Sequence, residues 1–197
     1  MSEKKEYLEE KLRMYTSLFN EAMANPQIDR AVDAIASAFE NGNKITAAGN
    51  GGSASNADQL IGEFIGRFRY QRGPYAAFSM PGVAGFTAIG NDFGFDQVFA
   101  RQVKSLLKKG DVFVGYTTSG NSPNILEAVR AARENGVTSI GFCGAGGKLK
   151  EEADIPIIID NTEPQTIEEM HFILTHLICT LVEARVSAND PEARRLR

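Results

Sequence analysis

Asp111 to Ile125 reads DVFVGYTTSGNSPNI, and its two halves differ sharply in character. Val112, Phe113, Val114 and Tyr116 form a short apolar, β-prone run of the kind that makes a buried strand. Thr117, Thr118, Ser119, Gly120, Asn121 and Ser122 are small or polar, and Pro123 stands where a helix can begin. Asn124 to Asn135 then carries a helical pattern. A strand that ends in hydroxyls and a Gly, and turns straight into a helix, makes an anion site. The first N–H groups of the helix have no intrahelical partner, and the macrodipole adds positive potential there. One capping Ser would account for one hydroxyl. The four hydroxyls of Thr117, Thr118, Ser119 and Ser122 point instead to a phosphate cradle.

A second junction of the same kind lies upstream. Lys44 to Ala48 is expected to be the first strand, and Ala54 to Phe68 a helix. Gly49-Asn50-Gly51-Gly52-Ser53 joins them, with glycines that let backbone approach a ligand closely. The spacing of Gly49, Gly51 and Ala54 is not the dinucleotide fingerprint, and a Walker Lys is missing, so no nucleotide cofactor is expected.

The remaining strands are expected at Tyr75–Met80, Thr138–Phe142 and Ile155–Ile159, with Pro156 placing the last at or near an edge. Between them the pattern predicts a short helical piece at Phe86–Gly90, a polar loop at Asn91-Asp92-Phe93-Gly94 and a helix over Asp96–Lys108. A Gly-rich turn at Gly144–Gly147 and a short helix to Ala153 follow the fourth strand. A long helix over Thr162–Val186 closes the fold, and the polar tail is expected to fray. Two helices, Ser2–Ala24 and Ile28–Asn41, precede the first strand. Their apolar stripes can cover this chain's own sheet or a partner subunit, and the sequence weights the two equally.

Strands alternating with helices predict an α/β fold with a five-stranded parallel sheet and helices on both faces, a doubly wound three-layer αβα sandwich. One domain is expected over 1–197, with helices in 1–41, the α/β core in 42–187 and the tail in 188–197. Ligands of such sheets sit beyond the carboxyl ends of the strands, where both Gly/Ser/Thr loops emerge.

Lys plus Arg number 21 against 25 Asp plus Glu, a net charge of −4, which lacks the basic footprint of a nucleic-acid binder. Cys143 and Cys179 read as buried small hydrophobes rather than a disulfide. The N-terminus does not read as a signal peptide and no apolar run is long enough to span a bilayer, so a cytoplasmic protein with no membrane partner is expected.

Ionisable groups on two helices could reach the loops. Gln59 and Glu63 are four apart and share a face. Glu168, Phe172 and His176 form a drifting stripe, with Glu168 and His176 offset by about 80° around the helix axis. His171 and His176 are five apart and face differently.

Taken together, these residues resemble the sugar isomerase (SIS) domain family, and within it the phosphoheptose isomerases. Gly49 to Ser53 with Glu63 ten residues on, Thr118-Ser119-Gly120-Asn121-Ser122-Pro123-Asn124, Thr87 to Asp92, and Glu169-Met170-His171 followed by His176 carry the resemblance in order along nearly the whole chain. It implies an aldose–ketose isomerase acting on sedoheptulose 7-phosphate, at the start of heptose synthesis for envelope polysaccharides, assembled as a homotetramer with shared sites. It further implies that Thr117, Thr118, Ser119 and Ser122 hold phosphate, with Ser53 nearby. Asn50, Gly51, Gly52, Asn91 and Asp92 would line the sugar, and Glu63 and His176 would be the catalytic acid–base pair.

The resemblance also implies a divalent metal, zinc in related isomerases, held by a His four residues before the Glu, the Glu, a Gln and the helix His. This chain departs at two of those positions, with Gln59 for the first His and Glu168 for the Gln. The set Gln59, Glu63, Glu168 and His176 is therefore richer in oxygen and less suited to zinc. Glu168 would also stand where the family's Gln touches sugar. The alternative is a non-catalytic relative that binds a partner protein, such as the replication-initiator-associated regulators, or an isomerase of another sugar phosphate. A sugar-phosphate sensor is disfavoured because no DNA-binding segment is attached. Glu63 and His176, absent from the non-catalytic type, favour the enzyme.

Overall fold

The computed structural model describes residues 2–80, 82–188 and 190–196. Its centre is a five-stranded, all-parallel sheet of β1 (Ile45–Ala48), β3 (Ala77–Ser79), β4 (Val112–Thr117), β5 (Thr138–Gly144) and β6 (Ile155–Ile159). The spatial order is β3-β1-β4-β5-β6. The chain leaves β1 for β3 and returns across β1 to β4, so the topological switch lies between β1 and β4. In register, Ala48 pairs with Gly115. The Gly49 and Thr118 loops therefore emerge side by side.

β4 is buried at every residue because both of its faces are covered, which explains its unbroken apolar run. One face carries α2 (Pro26–Glu40), α3 (Gly52–Ile65) and α8 (Pro164–Ser187), packed around Ile35, Leu60, Ile61, Phe64, Tyr116, Phe142 and Ile178. The other carries α5 (Ala100–Leu106), α6 (Pro123–Glu134) and α7 (Leu149–Glu152) around Val103, Phe113, Ile125, Val129 and Leu149. Each large side chain so buried contributes about 1.5–3 kcal/mol. Pro156 is in β6, an edge strand as its missing N–H requires.

The two N-terminal helices answer the question of cover differently. α2 starts on an Asn25 cap that accepts from the Gln27 N–H at 3.0 Å, and it buries Ile28, Ala31, Val32 and Ile35. α1 (Glu3–Met23) buries only Lys11 and Leu18, and leaves Leu12 and Met23 largely exposed.

Several boundaries differ from the sequence reading. Asn91, Asp92 and Phe93 form the end of α4 (Val83–Phe93), not a polar loop. Gly94, at φ 92°, stops that helix in a conformation that other residues rarely adopt. The helix expected over Asp96–Lys108 divides into a 3₁₀ turn at Phe95–Gln97 and the shorter α5. The tail expected to fray forms β7 (Arg194–Arg195), antiparallel to β2 (Tyr70–Gln71), a pairing with no apolar alternation to signal it. Both cysteines are free and buried.

Candidate functional site

The loop after β4 is organised by its own hydroxyls. Thr117 Oγ1 lies 2.8 Å from Ser122 Oγ and 3.3 Å from Ser119 Oγ, and Ser119 Oγ accepts from the Asn121 N–H at 3.2 Å. Ser122 occupies the N-cap position of α6 but makes no capping bond, because its hydroxyl turns to Thr117 instead. Three hydroxyls thus converge at the amino end of a twelve-residue helix. Thr118 is half-buried between them, its carbonyl accepting from the Gly144 N–H at 3.1 Å. The turn after β5 supports the loop from behind, and Gly120 O accepts from Lys148 N and Leu149 N at 2.9 and 3.0 Å. A Cβ on Gly120 would stand 2.5 Å from Gly146 O, so only glycine fits there.

The loop after β1 is tied to the first by a pair of amides. Asn50 Nδ2 donates to Asn124 Oδ1 at 2.9 Å, and Asn124 Nδ2 donates to Asn50 Oδ1 at 2.8 Å. Gly51 precedes α3, Gly52 opens it, and Ser53 is buried in its first turn. A Cβ on Gly52 would lie 2.5 Å from both carboxylate oxygens of Glu168, which therefore sit over the amino end of α3. That close approach is what the glycine permits.

α3 and α8 lie side by side and run the same way. Asn56 Nδ2 donates to Glu168 O at 3.2 Å near their amino ends. Further along, His176 Nε2 lies 3.7 Å from Glu63 Oε1, and both side chains are partly buried. Gln59 stands between them, its amide nitrogen hydrogen-bonded to Glu63 Oε1 and 3.3 Å from His176 Nε2. The imidazole is held by aromatic rings, Phe68 stacked at 5.2 Å and Phe172 edge-on at 4.6 Å. Glu63 and His176, assigned from separate helices, are thus neighbours. The other histidine, His171, packs edge-on against Tyr116 and Phe142, where desolvation pushes its pKa down to about 4 and keeps it neutral.

The implied metal set fits poorly. Gln59, Glu63 and His176 are together, but Glu168 stands over Gly52, about 10 Å along α3 from Gln59 at 1.5 Å per residue. Among the described residues no group of three His, Cys, Asp or Glu side chains is placed to hold a metal ion. The neutral amide of Gln59 fills the space between the two strong donors and satisfies both. These residues do not make a zinc site.

Asn91 and Asp92 are exposed on the last turn of α4 and bond to each other at 2.8 Å, with no hydrogen bond to either loop. An apolar cleft of about 630 Å³ lies on the α4 side of Gly49–Gly51, walled by Met80, Phe86, Phe95 and Phe99. Neither Glu63, His176 nor the Ser119 loop lines it. Sequence reasoning includes Asn124 as the end of the Thr118–Asn124 motif but gives it no role; its signal is a polar residue just inside a helix start, and the structure buries it. Sequence reasoning passed over Phe68, Arg72 and Glu183, which carry no local motif.

A SIS domain family profile matches residues 6–144. The phosphoheptose isomerase of Citrifermentans bemidjiense is 42% identical over 161 residues, 81% of this chain and 84% of that protein. The probable phosphoheptose isomerase of Thermoplasma acidophilum is 40% identical over 92% of this chain and 98% of its own length. Among solved structures, a phosphoheptose isomerase from Francisella tularensis superposes with a TM-score of 0.85 at 33% identity, covering 91% of this chain and 96% of that one. With the switch-point loops, the hydroxyl cradle and the paired helices in place, this chain belongs to the SIS domain family.

Proposed function

We propose that this protein isomerises a phosphorylated ketose to the aldose through an enediol, and that sedoheptulose 7-phosphate is its substrate. The observation that carries the reading is the 3.7 Å approach of Glu63 Oε1 and His176 Nε2. The relatives named as phosphoheptose isomerases support the substrate. The product would be D-glycero-D-manno-heptose 7-phosphate, a precursor for envelope polysaccharides, made in the cytoplasm.

Thr117, Thr118, Ser119 and Ser122, with the N–H groups that open α6, anchor the phosphate, and Ser53 stands near it. In this reading Asn50, Gly51, Gly52 and Glu168 line the sugar, and Asn91 and Asp92 are assigned to it by the family resemblance alone. Glu63 takes the carbon-bound proton of the ketose and returns it to the neighbouring carbon. His176 relays the hydroxyl proton between the two oxygens, so the carbonyl moves by one carbon and no atom is gained or lost. The Gln59 amide offers N–H groups beside both and can steady charge as it develops.

The non-catalytic alternative is disfavoured by the same pair, since a protein-binding surface has no need of two proton-handling groups in contact. Assembly as a homotetramer is supported by the unpartnered apolar residues of α1 and by Ile173, Leu177 and Leu181, half-exposed on α8. Among the described residues no helix is long and apolar enough to cross a membrane. Incubation of the purified protein with a panel of ketose phosphates, followed for aldose formation, tests the proposal. No product from any of them refutes it.

A further inference from the structure

Segment 66–73, between α3 and β3, touches both members of the acid–base pair. Phe68 stacks on the His176 ring at 5.2 Å with the planes 24° apart. Arg72, four residues on, caps the end of the helix that bears Glu63. Its Nη2 donates to Glu63 O at 2.8 Å, and its Nη1 donates to Phe64 O, Gly66 O and Gly73 O at 3.0, 2.9 and 2.9 Å. The orphan carbonyls at the end of a helix require such donors. The guanidinium plane also rests 3.8 Å from the Tyr75 ring centroid.

The counter-charge comes from α8. Glu183 accepts from Arg72 Nε at 2.9 Å, from Phe68 N at 3.2 Å and from Arg69 N at 2.6 Å. Both side chains are only 1% exposed. Glu183 lies two turns beyond His176 on the same helix, so one carboxylate fixes the segment to the element that carries the imidazole. The tail closes over the outside, with β7 on β2 and Leu196 N donating to Arg69 O at 2.7 Å.

We propose that the buried Glu183–Arg72 pair is a positioning device for the acid–base pair, holding segment 66–73 so that Phe68 orients His176 and the last turn of α3 keeps Glu63 facing it. Neither residue touches the reacting atoms. A buried ion pair is a weak source of stability, because desolvation offsets its attraction. Its satisfied, many-bonded geometry serves to fix two helices relative to each other. Proton transfer is sensitive to that geometry, and a displacement of about 1 Å can lower the rate roughly 100-fold.

The inference rests on the isomerase reading, and Glu183→Gln tests it with sedoheptulose 7-phosphate as the probe. The expected result is a kcat about 100-fold lower at an unchanged KM, in protein that is fully folded at the assay temperature. A structural role alone would lower activity only in proportion to the unfolded fraction. The ring-proton NMR shifts of His176, which feel the Phe68 ring current, should move in the same variant, and this readout stands whether or not the protein turns over the sugar. If Glu183→Gln does not fold, Phe68→Leu decides, since it leaves the ion pair intact and should still lower kcat. Folded Glu183→Gln with unmoved His176 shifts, or Phe68→Leu with undiminished kcat, overturns the proposal. Absence of turnover in the unsubstituted protein with moved His176 shifts in Glu183→Gln would instead refute the isomerase reading and leave the device standing.

Discussion

Asn50 and Asn124 bond to each other twice, amide to amide at 2.9 and 2.8 Å, and so join the loop after β1 to the helix that follows β4. Asn124 is 1% exposed, so its polar atoms have no access to water if the partner is lost. Asn50→Leu should therefore destabilise the protein by about 1–3 kcal/mol, the penalty for stranding the Asn124 amide. Chemical denaturation measures this. It should also weaken phosphosugar binding, because the two loops lose their common register.

Ser119→Ala together with Ser122→Ala should weaken binding of phosphorylated sugars far more than it lowers the melting temperature. Each hydrogen bond to a charged phosphate that is lost contributes roughly 1.5–3 kcal/mol. Calorimetric titration of the folded double variant checks it, and unchanged affinity would remove the cradle assignment.

Acid should destabilise the fold through His171. Its folded pKa of about 4 lies below the ordinary 6.5 because burial disfavours the imidazolium. The unfolded chain thus binds the proton more readily, and stability falls as pH drops from 6.5 towards 4, by up to about 3 kcal/mol. Denaturation across that range should show a loss that His171→Gln diminishes.

Chelation should leave turnover intact, because the Gln59 amide occupies the space between Glu63 and His176. Gln59→His places a second imidazole there and should raise zinc affinity, as elemental analysis after dialysis would record. Stoichiometric zinc in the unsubstituted protein that resists chelation would contradict this.

A monomer by sedimentation at micromolar concentration would contradict the tetramer. Leu12→Glu with Met23→Glu, on the exposed face of α1, should shift the tetramer towards smaller species without unfolding the subunit.

Legibility followed the range of the interaction. The sheet and both ligand loops were readable because each strand-to-helix junction is local, written in consecutive residues from apolar to Gly/Ser/Thr. Glu63 and His176 were reached through spacing and resemblance, and their contact depends on how α3 and α8 pack. Glu183, Arg72 and Phe68 were not readable, since their meaning arises only when segment 66–73 meets α8. The β2–β7 pairing was hidden for the same reason, two short polar stretches far apart in the chain. The last turn of α4 reads as a loop because Asn91 and Asp92 are turn-prone residues, and the helix expected over Asp96–Lys108 reads too long because no local residue marks its division into a 3₁₀ turn and α5.

Glu63→Gln and His176→Ala, each assayed with sedoheptulose 7-phosphate, test the central claim most directly. Both groups act on the transition state rather than on the phosphate anchor, so each variant should lose turnover by at least about 100-fold, the general acid–base contribution, while sugar-phosphate affinity stays near that of the parent. Normal turnover in either folded variant would contradict the account.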